Sequence, residues 1–313
     1  MLISVAVCTY QRYGALAVTL GALAEQSVPA AEWEILVLDN SPDHDISFQQ
    51  KTKFDHIPGL RWWHVDRPGV AHARNCAIAY ARAGLLAFID DDVTVTQGWL
   101  AALLAGFAQF GDAAHSAGGP VRPEFLAPKP DWLAEGMLPF LSVVDRGAEA
   151  RLLAPDEWIP TANAAFRTER LRAVGGFREA LGRTGDEATL MSNEDTEVMS
   201  RLHRAGGASA WVPDAAVWHR IDSTRLDQAW FRRRFAWQAV ADTMVHPAHH
   251  RAHAAASWRE VEGYLAFCAK TGVGALSEAH TRADLCHWQM SAIYHLTLAL
   301  LSGVPQAGES EHG

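Results

Sequence analysis

Short apolar runs alternate with amphipathic stretches along the first third of the chain. Leu2 to Val7 is apolar and rich in β-branched residues, and reads as a buried strand. Leu16, Leu20 and Leu23 follow at helical spacing, and Pro29 stops that helix. Ile35 to Leu38 is a second buried strand, running into Asp39-Asn40-Ser41-Pro42-Asp43, a turn-forming cluster. Arg61 to Val65 predicts a third strand, and alanine-rich Val70 to Arg82 a helix closed by Gly84. Leu85 to Ile89 then reads as a strand buried on both faces, ending in Asp90-Asp91-Asp92. Trp99, Leu100, Leu103, Leu104 and Phe107 define another helix. Strands alternating with helices imply parallel crossovers, hence an α/β sheet.

The pattern then loosens. Residues 111 to 160 carry Gly118-Gly119-Pro120 and Pro123, Pro128, Pro130 and Pro139, and read as loops crossing an open sheet edge. Glu169 to Val174 predicts a short helix ended by Gly175-Gly176. Glu194 to Ala205 predicts another, with Val198 and Leu202 one turn apart and Gly206-Gly207 as terminator. Ala210 to Val212 is a late strand stopped by Pro213. From Leu226 the chain reads as helical, with Trp230, Phe231, Arg234, Trp237 and Val240 near one stripe. Two more helices are expected near Trp258–Lys270 and Ser277–Leu301. The polar tail, 303–313, is expected to be disordered.

Composition narrows the class. The 313 residues are 49% hydrophobic and 20% charged, ordinary for a globular protein. A net charge of −9 argues against nucleic acid as a partner, which calls for a basic face. Cys8, Cys76, Cys268 and Cys286 form no close pair, consistent with a reducing compartment. No basic region precedes Leu2–Val7. Trp288 to Leu301 is interrupted by Gln289, Ser291, His295 and Thr297, too short an apolar run to span a bilayer. The expectation is a cytoplasmic protein, with peripheral contact at the inner face of the membrane left open.

Candidate chemistry gathers at strand ends. Side chains alternate along a strand, so Asp90 and Asp92 point to one side. Two carboxylates there repel and call for a cation. Hard oxygen ligands suit Mg²⁺ or Mn²⁺, and Mg²⁺ takes further ligands from substrate phosphates. Thr9, Asp39 and Asp90 all sit at strand carboxyl ends, where open parallel sheets bind ligands. Neither a G-x-G-x-x-G fingerprint nor a P-loop follows the first strand, so a nucleotide would be held by loops and a metal.

Ser4-Val5-Ala6-Val7-Cys8-Thr9-Tyr10, Val37-Leu38-Asp39-Asn40-Ser41, Ala73-Arg74-Asn75, Ile89-Asp90-Asp91-Asp92, Gly175-Gly176-Phe177 and Asn193-Glu194-Asp195 occur in this order. In these pieces residues 1 to 220 resemble the family 2 glycosyltransferases. The resemblance implies a GT-A fold: a Rossmann-like, mostly parallel sheet flanked by helices. It also implies an inverting transfer from a nucleotide-diphosphate sugar, a UDP-sugar foremost, assisted by Mn²⁺ or Mg²⁺. Residues 1–225 would form the GT-A domain, with a nucleotide-binding half (1–110) and an acceptor-binding half (111–225). Residues 226–302 would be a helical extension that shapes the acceptor site or carries a homo-oligomer contact.

Carried onto this sequence, Thr9, Tyr10, Arg12, Asp39 and Asn40 line the nucleoside pocket, and Arg74 approaches the nucleotide. Many members have two acids and a glycine where this chain reads Leu38-Asp39-Asn40-Ser41, which leaves the nucleobase open. Asp90 lies nearer the ribose, with Asp91 in the same donor-binding run. Asp92 is the direct metal ligand, and His219 a further ligand from a late loop. Asp195 is the general base, its pKa expected to be depressed at a helix N-terminus. Glu194 holds the acceptor or shapes the turn. Asn163 and the Gly175–Phe177 turn match the wall around the transferred sugar. Trp132 and Trp158 offer stacking faces, although packing is the plainer reading in a chain with 12 tryptophans. Arg232-Arg233-Arg234 reads as a solvated face, and His246, His249, His250 and His253 as a polar turn. The acceptor would be a glycan, a lipid-linked saccharide or a small molecule. A sugar nucleotidyltransferase would want a basic glycine-rich loop after the first strand. A non-catalytic GT-A-like protein that binds sugar nucleotides would need no base at Asp195.

Overall fold

In the computed structural model, which describes residues 1–186, 188–246, 254–271, 278 and 281–302, the N-terminal apolar runs are strands buried on both faces. The first elements are β1 (Ile3–Thr9), α1 (Tyr13–Ala24), β2 (Trp33–Asp39), α2 (His44–Thr52), β3 (Leu60–His64), α3 (Val70–Tyr80) and β4 (Leu85–Asp90). Alternate residues enter opposite cores. Ile3, Val5, Val7, Ile35, Val37, Ala87 and Ile89 join Leu16, Leu20 and Leu23 of α1. Ala6, Leu36, Leu38, Leu86 and Phe88 join Ala73, Ala77 and Ile78 of α3. Covering both faces is what turns these strands into continuous hydrophobic runs.

β1 is parallel to β2 and to β4, with Thr9 opposite Asp39 and Cys8 opposite Asp90. The three polar strand ends are therefore level. The sheet order begins β3-β2-β1-β4, so successive connections leave β1 in opposite directions. That reversal opens a crevice at the carboxyl ends of β1 and β4, where such sheets bind ligands.

The chain continues through β5 (Val93–Val95), α4 (Trp99–Phe110), β6 (Ala114–Gly118), β7 (Val121–Phe125), β8 (Arg151–Leu152), β9 (Asn163–Arg167), α5 (Thr168–Ala173), α6 (Glu194–Arg204), β10 (Ala208–Trp211) and β11 (Val217–Ile221). The main sheet runs β3-β2-β1-β4-β9-β6-β10-β8, and β9 is antiparallel to both its neighbours. The stretch 111–160, expected as loops, thus contributes β6 and β7. β6 reads Ala-His-Ser-Ala-Gly and is buried throughout, although it has no large aliphatic residue. Its Ser116 is satisfied sideways, with Oγ 2.7 Å from Ser209 Oγ. Gly118 is required by closeness: a Cβ there would lie 2.2 Å from the Asn163 carbonyl oxygen.

A second sheet, β5-β11-β7, also departs from expectation. His219 lies in a strand rather than a loop. Val217, His219 and Ile221 face inward, and β11 runs antiparallel to β5 with His219 opposite Val93. The pairing therefore sets His219 one residue from Asp92.

All these elements belong to one compact unit, formed by Met1–Leu126, Leu141–Glu187 and Glu194–Ile221. A second unit collects Ala127–Phe140, Ala188–Asn193 and the chain from Asp222. It holds α7 (Gln228–Val245), α8 (Ala254–Thr271) and α9 (Ala283–Leu301). Phe231 meets Trp132 edge-on at 5.5 Å, and Phe235 stacks on Phe140 at 4.0 Å between ring centroids. Arg234, expected on a solvated face, is only 9% exposed, and its guanidinium lies over the Phe140 ring. A flat, weakly hydrated guanidinium packs on an aromatic face more readily than a strongly hydrated ammonium. The tail 303–313 and His249, His250 and His253 lie outside the described residues. Among the described residues no helix is long and apolar enough to cross a membrane.

Asp242 of α7 organises the polar part of this unit. It accepts hydrogen bonds from Tyr294 Oη (2.6 Å), Asn193 Nδ2 (2.6 Å) and Gln238 Nε2 (2.8 Å). Asp242→Ala removes a charged acceptor from three donors at once and is expected to lower stability by about 2–3 kcal/mol. Urea unfolding checks this; an unchanged midpoint would refute it.

Candidate active site

After β4 the chain turns through Asp91 and Asp92 into β5. Asp91 points inward, accepting from Thr9 Oγ1 at 2.7 Å and from Arg12 Nη1 at 2.8 Å. Burial raises its carboxyl to about 7, against the opposing pull of Arg12. Asp90 and Asp92 flank Asp91 in the same turn. Their carboxylates and the His219 imidazole offer ligand atoms that all lie within 4.8 Å of one another.

The donor set fits a divalent ion. His219 Nδ1 lies 2.7 Å from the Leu141 carbonyl, which can only accept, so the proton sits on Nδ1. That bond fixes the ring and turns the Nε2 lone pair toward Asp92, as the outer contacts of metal-binding histidines do. Nε2 is 3.3 Å from Asp92 Oδ2. An imidazole nitrogen and a carboxylate oxygen so placed can share a divalent cation. Two carboxylates suit Mn²⁺ or Mg²⁺, and the imidazole favours Mn²⁺ of the two. Arg12 Nη2, 2.7 Å from the same Asp92 oxygen, adds a fixed positive charge.

The nucleoside side is tightly organised. Asp39 is fully buried; Oδ1 accepts from Ser41 N (3.1 Å) and Ser41 Oγ (2.6 Å), and Oδ2 from Tyr13 Oη (3.0 Å). Asn40 clasps the segment before α3, giving Nδ2–H bonds to the Val65 and Arg67 carbonyls and accepting from Gly69 N at 2.6 Å. Tyr10 lies against Gly185, whose φ is +85°; a Cβ there would sit 2.7 Å from the tyrosine ring. Sequence reading missed Tyr13 and Gly185. The glycine pair in Gly182-Arg183-Thr184-Gly185 was the signal available for the second.

On the far side of Asp90, Arg74 of α3 reaches across. Its Nη1 is 2.7 Å from Glu194 Oε1, and its Nη2 is 3.4 Å from Asp90 Oδ1. Asn75, the next residue, pins Phe177 by both backbone groups, at 2.9 Å to O and 2.8 Å from N. The Phe177 ring lies 5.6 Å from the Arg74 guanidinium.

Asp195 follows Glu194 in the first turn of α6. Its pKa is raised to about 6 by burial and by the Glu194 carboxylate, against Arg74 and the Thr196 and Thr161 backbone N–H groups. The expected depression by the helix N-terminus is thus reversed, because loss of hydration beside a like charge outweighs a half-charge dipole. The Leu141 and Thr161 contributions come from backbone groups and had no side-chain signal in the sequence.

One expected sugar contact is corrected, and the two tryptophans pack as the plainer reading had it. Asn163 has no exposure; it accepts from Trp99 Nε1 at 2.9 Å and donates to the Ala215 carbonyl at 2.7 Å, so it braces the core. Trp132 packs inside the second unit. Trp158 is half-buried against the α3-side core.

The sheet order, with its crevice beside β1 and β4, is that of the GT-A glycosyltransferases. The chain superposes on the mannosyltransferase PcManGT of Pyrobaculum calidifontis, determined with GDP-Man and Mn²⁺, with a TM-score of 0.61 over 96% of this chain and 86% of that one at 18% identity. It superposes on residues 1–349 of S. aureus TarS in complex with UDP-GlcNAc with a TM-score of 0.55, covering 95% and 90% at 16% identity. At those identities the superpositions show the fold alone. Sequence establishes kinship: the family described as "Glycosyl transferase family 2" matches residues 4–169. The succinoglycan biosynthesis protein ExoM of Rhizobium meliloti (strain 1021) is 31% identical over 235 residues, 74% of this chain and 71% of ExoM. The chain belongs to glycosyl transferase family 2, and it is a glycosyltransferase.

Proposed function

We propose that the protein moves a sugar from a nucleoside diphosphate, UDP foremost, to an acceptor hydroxyl with inversion, and that Asp195 is the base. The observation that carries this reading is the reach of Arg74. One guanidinium touches both Asp90, on the donor side, and Glu194, beside the base, so the two acidic groups serve one reaction centre.

In this reading Thr9, Tyr10 and Arg12 frame the nucleoside diphosphate, with Asp39 and Asn40 holding the loops around it. Asp90, Asp92 and His219 would hold a divalent ion, which would supply positive charge to neutralise the departing diphosphate. Asp195 accepts the acceptor hydroxyl's proton. The acceptor oxygen bonds to the anomeric carbon as the bond from that carbon to the diphosphate oxygen breaks, and the electron pair leaves with the nucleotide. A single in-line displacement inverts the anomeric configuration. A half-buried carboxylate near 6 is ionised at neutral pH yet basic enough to be useful.

A thermal-shift comparison of UDP, GDP, CDP and dTDP, with Mn²⁺ or with EDTA, tests the reading. UDP with Mn²⁺ is expected to raise Tm by roughly 5 °C at about a hundred times Kd, and EDTA to remove most of the gain. Proton NMR of the product, taken before mutarotation, is expected to show the opposite anomer from the donor. No nucleotide-dependent shift, or a retained anomer, would overturn it.

A further inference from the structure

We propose that Arg74 is a positioning residue for the transfer step, fixing Glu194 and through it the first turn of α6, and is not a grip on the donor. The proposal rests on the sugar-transfer reading of the site. An arginine that grips a phosphate must present its N–H fork to the crevice. The Arg74 side chain is only 5% exposed, and the fork is already occupied. Nη1 meets Glu194 at 2.7 Å, Nη2 faces Asp90 at 3.4 Å, and Phe177 lies against the guanidinium. Arg12, by contrast, pairs with Asp91 and Asp92 yet keeps a side chain that is 36% exposed.

The surroundings explain why a cation is needed. Glu194 and Asp195 are adjacent carboxylates in one helical turn, and Asp90 ends the neighbouring strand. Without Arg74, Glu194 would turn away from its like-charged neighbours, taking the first turn of α6 with it. Arg74 is itself held from below. Asn75 clamps Phe177 through its backbone, and Phe177 backs the guanidinium. A Cβ on Gly176, whose φ is +69°, would lie 2.5 Å from Asn75 Oδ1, so the clamp also requires glycine there. Ala73-Arg74-Asn75 therefore acts as a two-armed brace, with Asn75 building the seat and Arg74 aligning the acids.

The test uses the full chain and four variants: Arg74→Lys, Arg74→Gln, Glu194→Gln and the double Arg74→Gln/Glu194→Gln. Readouts are kcat and donor KM for hydrolysis of the UDP-sugar that the wild type hydrolyses fastest, with UDP binding in Mn²⁺ by calorimetry. Calorimetric stoichiometry sets the active fraction. A misplaced base can cost about 10²-fold in rate, so Arg74→Gln is expected to lose about that much in kcat. UDP affinity and donor KM are expected to stay within about three-fold. Arg74→Lys, which can still reach one acid, retains more turnover than Arg74→Gln. Glu194→Gln loses a similar factor, and the double variant loses no more than the worse single one, because both changes break one coupling. The double variant also removes the charge imbalance, so it remains readable where Arg74→Gln fails to fold.

Three results would overturn the proposal. One is a raised donor KM and weakened UDP binding with kcat kept, the mark of a donor grip. Another is a Glu194→Gln variant with wild-type turnover. The third is a double variant whose loss is the product of the two single losses. Failure of the sugar-transfer reading itself shows differently, as a wild-type protein with neither UDP binding nor turnover.

Discussion

Asp195→Asn is expected to lower kcat by about 10²–10⁴-fold, with Mn²⁺-dependent UDP binding unchanged. The amide has the shape of the acid and can still accept from the Thr196 N–H, which bonds Asp195 Oδ1 at 2.8 Å. It cannot take a proton from an attacking hydroxyl. The pH dependence gives a second check. Asp195 is raised from the ordinary carboxylate value to about 6, so its ionised, basic form is lost as pH falls through 6. The wild-type kcat profile is expected to show an acid limb near that pH, and the residual rate of Asp195→Asn to lack it. The linkage sign for stability follows. A folded-state pKa above the unfolded value means that the folded protein holds this proton more tightly, so the ionised carboxylate costs stability above pH 6. Asp195→Asn removes that cost at neutral pH but leaves one acceptor oxygen for the Thr196 and Thr161 N–H groups, so its Tm is measured beside kcat to separate lost chemistry from lost folding. Wild-type turnover in the variant, or an acid limb that survives the substitution, removes Asp195 from the base role.

The strands that were legible in the sequence are those buried on both faces. β1, β2 and β4 gave apolar runs because nearly every position along them is buried, with water reached only near the strand ends. β6 and β9 are as deeply buried, but their sequences are Ala-His-Ser-Ala-Gly and Asn-Ala-Ala-Phe-Arg. Close neighbours select small residues there, as Gly118 against the Asn163 carbonyl shows. Small and polar residues carry no strand signal when their hydrogen bonds run sideways through Ser116–Ser209. Prolines in the same region strengthened the loop reading, yet Pro123 sits within β7, at an edge of the smaller sheet.

The site divides along the same line. Alternation alone put Asp90 and Asp92 on one side, because it depends on neighbours in sequence. The approach of His219 depends on β11 pairing with β5, which no local pattern announces. The partners of Arg74 were hidden for the same reason: its acids lie sixteen residues away in β4 and 120 away in α6. The pKa of Asp195 was misjudged because the helix dipole is readable from sequence, whereas burial and the orientation of Glu194 are not.

Asp92→Asn should separate nucleotide binding from its metal dependence. Asp92 is almost wholly buried, and its Oδ2 receives Arg12 Nη2 at 2.7 Å and faces His219 Nε2 at 3.3 Å. The amide preserves shape, and Arg12 keeps Asp91 at 2.8 Å, so the turn after β4 should hold. What is lost is a charged oxygen at the centre of the ligand cluster. The Mn²⁺-dependent increment in UDP affinity is expected to disappear, a loss on the order of 10²-fold. His219→Gln should cost about 10–100-fold in Mn²⁺ affinity and leave metal-free UDP binding alone. EDTA-treated wild type should match Asp92→Asn, and added Mn²⁺ should restore the wild type only. If Mn²⁺ still strengthened UDP binding to Asp92→Asn by the wild-type factor, the cation would have to be held elsewhere.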